Sequence, residues 1–174
     1  MAGRRTSGRA GHGGTPATTA LSEAGVVHTL HPYDHDPRTA RESGYGLEAA
    51  VALGLDAARV YKTLLVTLEG APRPGLGVAV VPVSGRLDLK AVATALGAKR
   101  AAMAAPAAAE RATGYVVGGI SPLGQRTPLP TVVDSTALEH EVVYVSGGRR
   151  GLDVGLAPTD LVALTGAVTA DVAR

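Results

Sequence analysis

Two apolar runs, Val60–Leu68 and Leu76–Val83, constrain this chain more than any other feature. Both are rich in valine and leucine, and both have strand length. Between them lies Glu69-Gly70-Ala71-Pro72-Arg73-Pro74-Gly75, whose prolines and glycines cannot extend a strand or a helix. Strand, breaker and strand in that order predict an antiparallel hairpin, and the fold must be built around it.

The flanking segments predict both helices and strands. Thr15 caps a short helix over Pro16–Ala24, with Pro16 at its first position and Gly25 at its end. Val26–Leu30 reads as a strand. His31-Pro32-Tyr33-Asp34-His35-Asp36-Pro37 reads as a loop, because two prolines bracket several turn-formers. Helices are expected at Gly46–Leu53, at Leu89–Leu96 behind an Asp88 cap, from Pro106 to before Gly114, and at Thr159–Leu164. Further strands are expected at Tyr115–Val117, Thr131–Asp134, Val142–Ser146 and Leu152–Leu156. Helices and strands do not alternate strictly, so the expected fold is α/β (α+β), a mixed and curled sheet with flanking helices.

Composition narrows the chemistry. The chain has 174 residues, enough for one domain with a core and too few for two of usual size. Cysteine is absent, which excludes disulfides, thiolate metal sites and a cysteine nucleophile. Phenylalanine and tryptophan are absent too, so a platform of clustered aromatics for stacking bases is not expected. The net charge of +2 depends on the first fourteen residues, which hold Arg4, Arg5 and Arg9 and no acid. Without them 14 basic residues face 15 acidic ones, a net of −1. The expected organisation is a disordered basic tail over residues 1–14 and a single domain over residues 15–174. The domain is not a broadly basic nucleic-acid binder, and DNA is not expected as a partner. No apolar segment follows Arg4-Arg5 and none is long enough to span a bilayer, so the expected location is the cytoplasm, away from membranes.

A few residues stand out as chemically informative. Lys62 shares one face of its strand with Val60, Leu64 and Val66. A lysine there is either a snorkelling edge residue or a cation at the floor of a pocket. Gly118-Gly119-Ile120-Ser121-Pro122-Leu123-Gly124 can bring backbone N–H groups close to a ligand. It lacks the spacing of a Walker loop and of a dinucleotide fingerprint, and a plain tight connection is the other reading. Ser146-Gly147-Gly148-Arg149-Arg150-Gly151 is a second glycine-rich turn, either a solvated hairpin tip or a contact for phosphate. His31, Asp34, His35 and Asp36 resemble a metal cluster only on paper, since Pro32 denies the two histidines a helical spacing. No G-x-S-x-G elbow supports a serine triad built from Ser121, His140 and Asp134. No metal and no cofactor is expected.

These segments, in this order, resemble the YbaK-type Cys-tRNA(Pro) deacylases, free-standing relatives of the editing domain of bacterial prolyl-tRNA synthetase. The resemblance runs from about Pro16 to Val172. It is carried by His31–Asp36, Tyr61–Val66, Thr113–Gln125, Ser135–Glu139 and Tyr144–Leu152. It implies a curled pseudo-barrel sheet and hydrolysis of cysteine wrongly attached to proline tRNA. Cys-tRNA(Pro) and prolyl-tRNA synthetase are the implied partners. It also implies roles at the site. Lys62 falls on the family's strand lysine, and Gly118, Gly119, Ile120, Ser121 and Pro122 on its G-x-x-x-P loop. Tyr33 falls on a pocket tyrosine, while Ser146, Gly147, Gly148 and Arg149 lie in a pocket-lining segment. The implied chemistry needs no protein nucleophile, because the substrate thiol attacks, or assists attack on, its own ester. Lys62 would hold the terminal adenosine or its phosphate, and the loop N–H groups would contact the aminoacyl end. The competing readings are a non-catalytic binder of the same fold, a deacylase preferring alanine or another small amino acid, and a hydrolase of small esters.

Overall fold

The computed structural model describes residues 14–73 and 75–174. The expected basic tail therefore lies outside the described residues, apart from Gly14. The elements run in the order α1 (Pro16–Glu23), β1 (His28–Pro32), α2 (Pro37–Ser43), α3 (Tyr45–Leu53), β2 (Tyr61–Glu69), β3 (Gly75–Pro82), α4 (Leu89–Ala95) and β4 (Arg100–Met103). They continue with α5 (Pro106–Thr113), β5 (Thr131–Asp134), β6 (Val143–Arg149), β7 (Leu152–Leu156), α6 (Pro158–Thr165) and β8 (Val168–Ala170).

The expected hairpin is present as β2 and β3, antiparallel, with Lys62 opposite Val81 and Leu65 opposite Val78. It lies within a five-stranded sheet of order β4-β2-β3-β5-β8, in which β3–β5 and β5–β8 are parallel. A second, antiparallel sheet has the order β1-β7-β6. The two sheets meet where Val60 bridges Tyr144, with the Tyr144 N–H donating to the Arg59 carbonyl at 2.9 Å. The fold is thus the expected mixed and curled arrangement of strands with helices around it.

Side chains of β2 and β3 alternate between two cores. Tyr61, Leu65, Val78 and Val80 face β6 and β7, meeting Val145 and Val154, and α1 adds Ala17 and Leu21. Val66, Leu68, Ala79 and Val81 face the other way, toward Val92 and Ala93 of α4. With no phenylalanine or tryptophan to fill space, valine, leucine and alanine build most of both cores, joined in the first by Tyr61 and Tyr115.

Several expected elements shift for identifiable reasons. Val26–Leu30 is not the first strand, because the Val26 N–H is spent closing α1 on the Leu21 carbonyl at 3.0 Å. The strand runs over His28–Pro32 instead, and Pro32 is tolerated as the last residue of an edge strand. Helix α2 was not expected. Asp36 creates it by accepting the Arg38 N–H at 3.0 Å and the Thr39 hydroxyl at 2.7 Å, with Pro37 at the first position. Tyr115–Val117 is not a strand. The Val117 N–H donates to the Glu110 carboxylate and its carbonyl accepts from Arg150, so neither group is left for a ladder. Strand β4 hides in an alanine-rich run and forms by pairing with β2.

The N-terminus of α1 acts as a clasp. Thr15 and Thr18 cap each other reciprocally, each hydroxyl accepting the other's backbone N–H. The Thr15 hydroxyl also donates to the Gly147 carbonyl on β6. Gly124, at the end of the glycine-rich loop, lies so close that an added Cβ would stand 2.4 Å from the Pro16 carbonyl oxygen. One helix end therefore secures both glycine-rich segments. Replacement of Gly124 by alanine should cost about 2–4 kcal/mol, combining a left-handed backbone with a backbone collision. The same change at Gly54, also left-handed but with open space around it, should cost only about 1 kcal/mol. Urea unfolding midpoints of the two variants check this.

Candidate active site

Strand β2 is paired with β3 along nearly its whole length, but β4 covers its other edge only over Val66–Glu69. The Ala104 N–H on the Leu65 carbonyl, at 3.0 Å, ends that coverage. Beyond it, Tyr61–Leu65 line a cavity of about 280 Å³. Helix α3 closes one side with Tyr45, Gly46 and Ala49, the glycine-rich loop contributes Val117, Gly118 and Ile120, and the small sheet contributes Ser146 and Asp153.

Lys62 lines this cavity and is half-buried. Its amine donates to the Gly85 carbonyl at 3.1 Å, the one hydrogen bond it makes among the described residues. Burial holds its pKa below the ordinary lysine value. Helix α3 can pass this close only at a glycine, since a Cβ on Gly46 would stand 2.3 Å from Val83 Cγ1.

The structure separates the other expected site residues into two groups. Tyr33, Gly118, Ile120 and Ser146 line the cavity with Lys62. Gly119, Ser121, Pro122, Gly147, Gly148 and Arg149 do not line it. Ser121 is fully buried, its hydroxyl accepting the Leu123 N–H at 3.2 Å and its carbonyl accepting from Gln125 at 2.9 Å. Pro122 is buried and has no N–H to offer. The Gly119 N–H closes a turn on the Val116 carbonyl at 2.9 Å. Gly119 is where the two glycine-rich segments cross, for its Cβ would stand 2.8 Å from Arg149 Cα. Gly118, at φ 89°, packs on Tyr45, where a Cβ would stand 2.5 Å from the ring. Ser146–Arg149 is not a turn but the end of β6, bulged between Ser146 and Arg149, and the turn itself is Arg150-Gly151. Gly147 and Gly148 are needed there for closeness to Leu152 and Tyr115. His31 and His35 do not converge. His31 bonds Thr29 at 2.7 Å, while His35 pairs with the buried Glu48 carboxylate at 2.9 Å.

Three lining residues escaped the sequence reading: Tyr45, Thr63 and Asp153. The Thr63 hydroxyl is buried without a hydrogen-bond partner among the described residues. Asp153 is 5% exposed and stands between His31 of β1 and Ser146 of β6 in the strand register. Burial pushes its carboxyl up to about 7. Tyr33 is pushed up to about 12, first by burial and then by the negative charges of Asp153 and Glu48. A carboxylate in the apolar run Leu152-Asp153-Val154-Gly155-Leu156 is the same kind of inconsistency that singled out Lys62, and it was the available signal.

Lys62, the buried Asp153 carboxyl and the loop residues Gly118 and Ile120 thus line one small cavity. The Ser146 hydroxyl accepts the Gly148 N–H at 3.2 Å and has no imidazole partner among the described residues. Residues 44–164 match the family model of the aminoacyl-tRNA editing domain, and the chain belongs to that family. A protein of Enterococcus faecalis named as a candidate Cys-tRNA(Pro)/Cys-tRNA(Cys) deacylase, EbsC, is 36% identical over 123 residues, 71% of this chain and 73% of that one. Among solved structures, a candidate trans-editing enzyme for prolyl-tRNA synthetase superposes with a TM-score of 0.77 at 29% identity, covering 91% of this chain and 95% of the other. The hypothetical protein APE2540 superposes with a TM-score of 0.78, also at 29% identity, over 91% of this chain and 99% of its own. Among the described residues no helix is long and apolar enough to cross a membrane.

Because its folded pKa lies above the unfolded value of 3.8, Asp153 binds a proton more tightly in the native state. Its contribution is fully present below about pH 4 and is lost as pH rises to about 7. Asp153→Asn should remove this dependence. Its stability relative to the wild type should improve by about 1.4 kcal/mol per pH unit at most across that window, read from unfolding curves at pH 4, 5.5 and 7.

Proposed function

We propose that this protein is a free-standing deacylase that hydrolyses mischarged Cys-tRNA(Pro) to cysteine and tRNA(Pro). The observation that carries the reading is the convergence of Lys62, Asp153, Gly118 and Ile120 on one cavity whose serine, Ser146, has no imidazole partner among the described residues. Such a site can orient an ester and stabilise developing charge, and it leaves the nucleophile to the substrate.

The cysteine thiol, ordinarily near 8.5, lies within reach of a base titrating near 7. In the proposed reaction ionised Asp153 takes the thiol proton and sulfur bonds to the ester carbonyl carbon. The N–H groups of Gly118 and Ile120 meet the oxyanion that forms. The carbon–oxygen bond to the ribose then breaks, and protonated Asp153 returns its proton to the departing ribose oxygen. Water opens the resulting cyclic thioester to free cysteine. Lys62, inside the cavity, holds the terminal adenosine in register, and Tyr33 lines the wall beside Asp153. The editing domain occupies residues 15–174 in this reading. It acts in the cytoplasm, and prolyl-tRNA synthetase supplies the tRNA, a role supported by the solved relative described as its trans-editing enzyme.

A deacylation panel with cysteine, alanine, serine and proline on proline tRNA tests the reading. Cysteine should be released fastest, and preferential release of alanine would reassign the substrate. Serine should be released at least tenfold more slowly than cysteine, because its hydroxyl cannot be ionised by a group titrating near 7; equal rates would rule out thiol attack. Lys62→Ala should lower kcat/KM by roughly 100-fold, about 2.7 kcal/mol of transition-state stabilisation, and near-normal turnover would remove it from the site. The rate on Cys-tRNA(Pro) should rise with pH to a plateau above about 7, and Asp153→Asn should abolish that rise.

A further inference from the structure

One cation beside the cavity is unused by the reaction just described. Arg150 lies at the turn between β6 and β7, exposed, and touches two residues that line the cavity. Its Nε and Nη2 both donate to the Val117 carbonyl, at 3.0 and 2.8 Å. Its guanidinium carbon stands 5.1 Å from the centre of the Tyr45 ring. An exposed arginine ordinarily samples many rotamers, and fixing it costs conformational entropy. Here a carbonyl holds one edge of the fork and an aromatic ring lies against it, so the group is ordered before any ligand arrives.

The remaining edge keeps its donors. Arg150 is in no ion pair among the described residues. Glu110 reaches the same Val117 residue, but it engages the N–H and not the arginine. The nearest carboxylates on the cavity side are otherwise committed or enclosed. Glu48 pairs with His35, and Asp153 is buried. Two cations therefore serve different depths, Lys62 within the cavity and Arg150 at its rim.

We propose that Arg150 binds the phosphodiester immediately 5′ of the terminal nucleoside, fixing the register of the RNA end as it enters the cavity. The inference rests on the deacylase reading and adds the contact that would let the site prefer a nucleic-acid ester over a simple one. A planar fork held on one edge and open on the other suits a phosphate, and a charge-assisted bond there needs no broadly basic surface.

The test compares three substrates: cysteinyl-adenosine, cysteinyl-adenosine carrying a 5′-phosphate, and Cys-tRNA(Pro). Arg150→Ala should raise KM for the two phosphate-bearing substrates about tenfold relative to the first, with little change in kcat. It should also flatten the dependence of log(kcat/KM) on log salt for the tRNA by about 0.7. An equal effect on all three substrates would overturn the proposal and make Arg150 a support for Tyr45 and the loop. An effect confined to the tRNA would overturn it in favour of a contact farther along the RNA. If the wild type hydrolyses none of the three, the deacylase reading itself fails, which is a different result from either of these.

Discussion

The unequal pairing of β2 organises the molecule. A strand in the middle of a sheet normally spends both edges on neighbours. Here β3 takes one edge nearly in full while β4 takes only the second half of the other. Residues Tyr61–Leu65 are left beside open space, and that space is the cavity. Its walls are the elements that would otherwise have to cover an unpaired edge: α3 on one side, the glycine-rich loop on another, and the face of the small sheet carrying Ser146 and Asp153. Strand alternation then sets the chemistry, because Lys62 and Thr63 are adjacent in sequence yet lean toward opposite sheet faces while both border the same opening.

Holding such a cavity open needs backbones closer than side chains permit. Gly46 lets α3 pass against Val83, Gly118 lets the loop lie on the Tyr45 ring, and Gly119 lets that loop cross β6 at Arg149. The α1 clasp adds a fourth support by joining Pro16 to Gly124 and Thr15 to Gly147. Of the glycines implied by resemblance to be site residues, Gly119, Gly147 and Gly148 do not line the cavity and instead allow close packing around it. Their substitution would disturb the site by moving the segments that do line it.

The electrostatics follow from depth. Lys62 and Asp153 are both shifted toward their neutral forms by loss of water, one downward and one upward. For the lysine, loss of water lowers the pKa from its ordinary value. For the carboxyl it brings the titration up to about 7. The fold accepts the cost of a buried carboxyl at this position.

Much of this was legible in the sequence. The β2–β3 hairpin, the helices opening at Pro16 and Pro106, the Asp88 cap and the strand Leu152–Leu156 follow from local turn chemistry and apolar patterning, which act over a few residues. Lys62 could be singled out because a charge on an apolar strand face violates that pattern, and Asp153 carried the same mark unread. What local signals could not decide is anything fixed by a distant partner. Strand β4 is alanine-rich and becomes a strand only by pairing with β2, Tyr115–Val117 fails to become one because Glu110 and Arg150 claim its backbone, and α2 depends on Asp36 turning a proline from a breaker into a first helical residue. The same division holds at the site. The sequence by itself determined which residue types were present to do chemistry and that no cysteine or triad was among them. Only the tertiary structure decided that Gly118 and Ile120 face the cavity while Ser121 and Pro122 turn away, because that depends on where a loop crosses another strand.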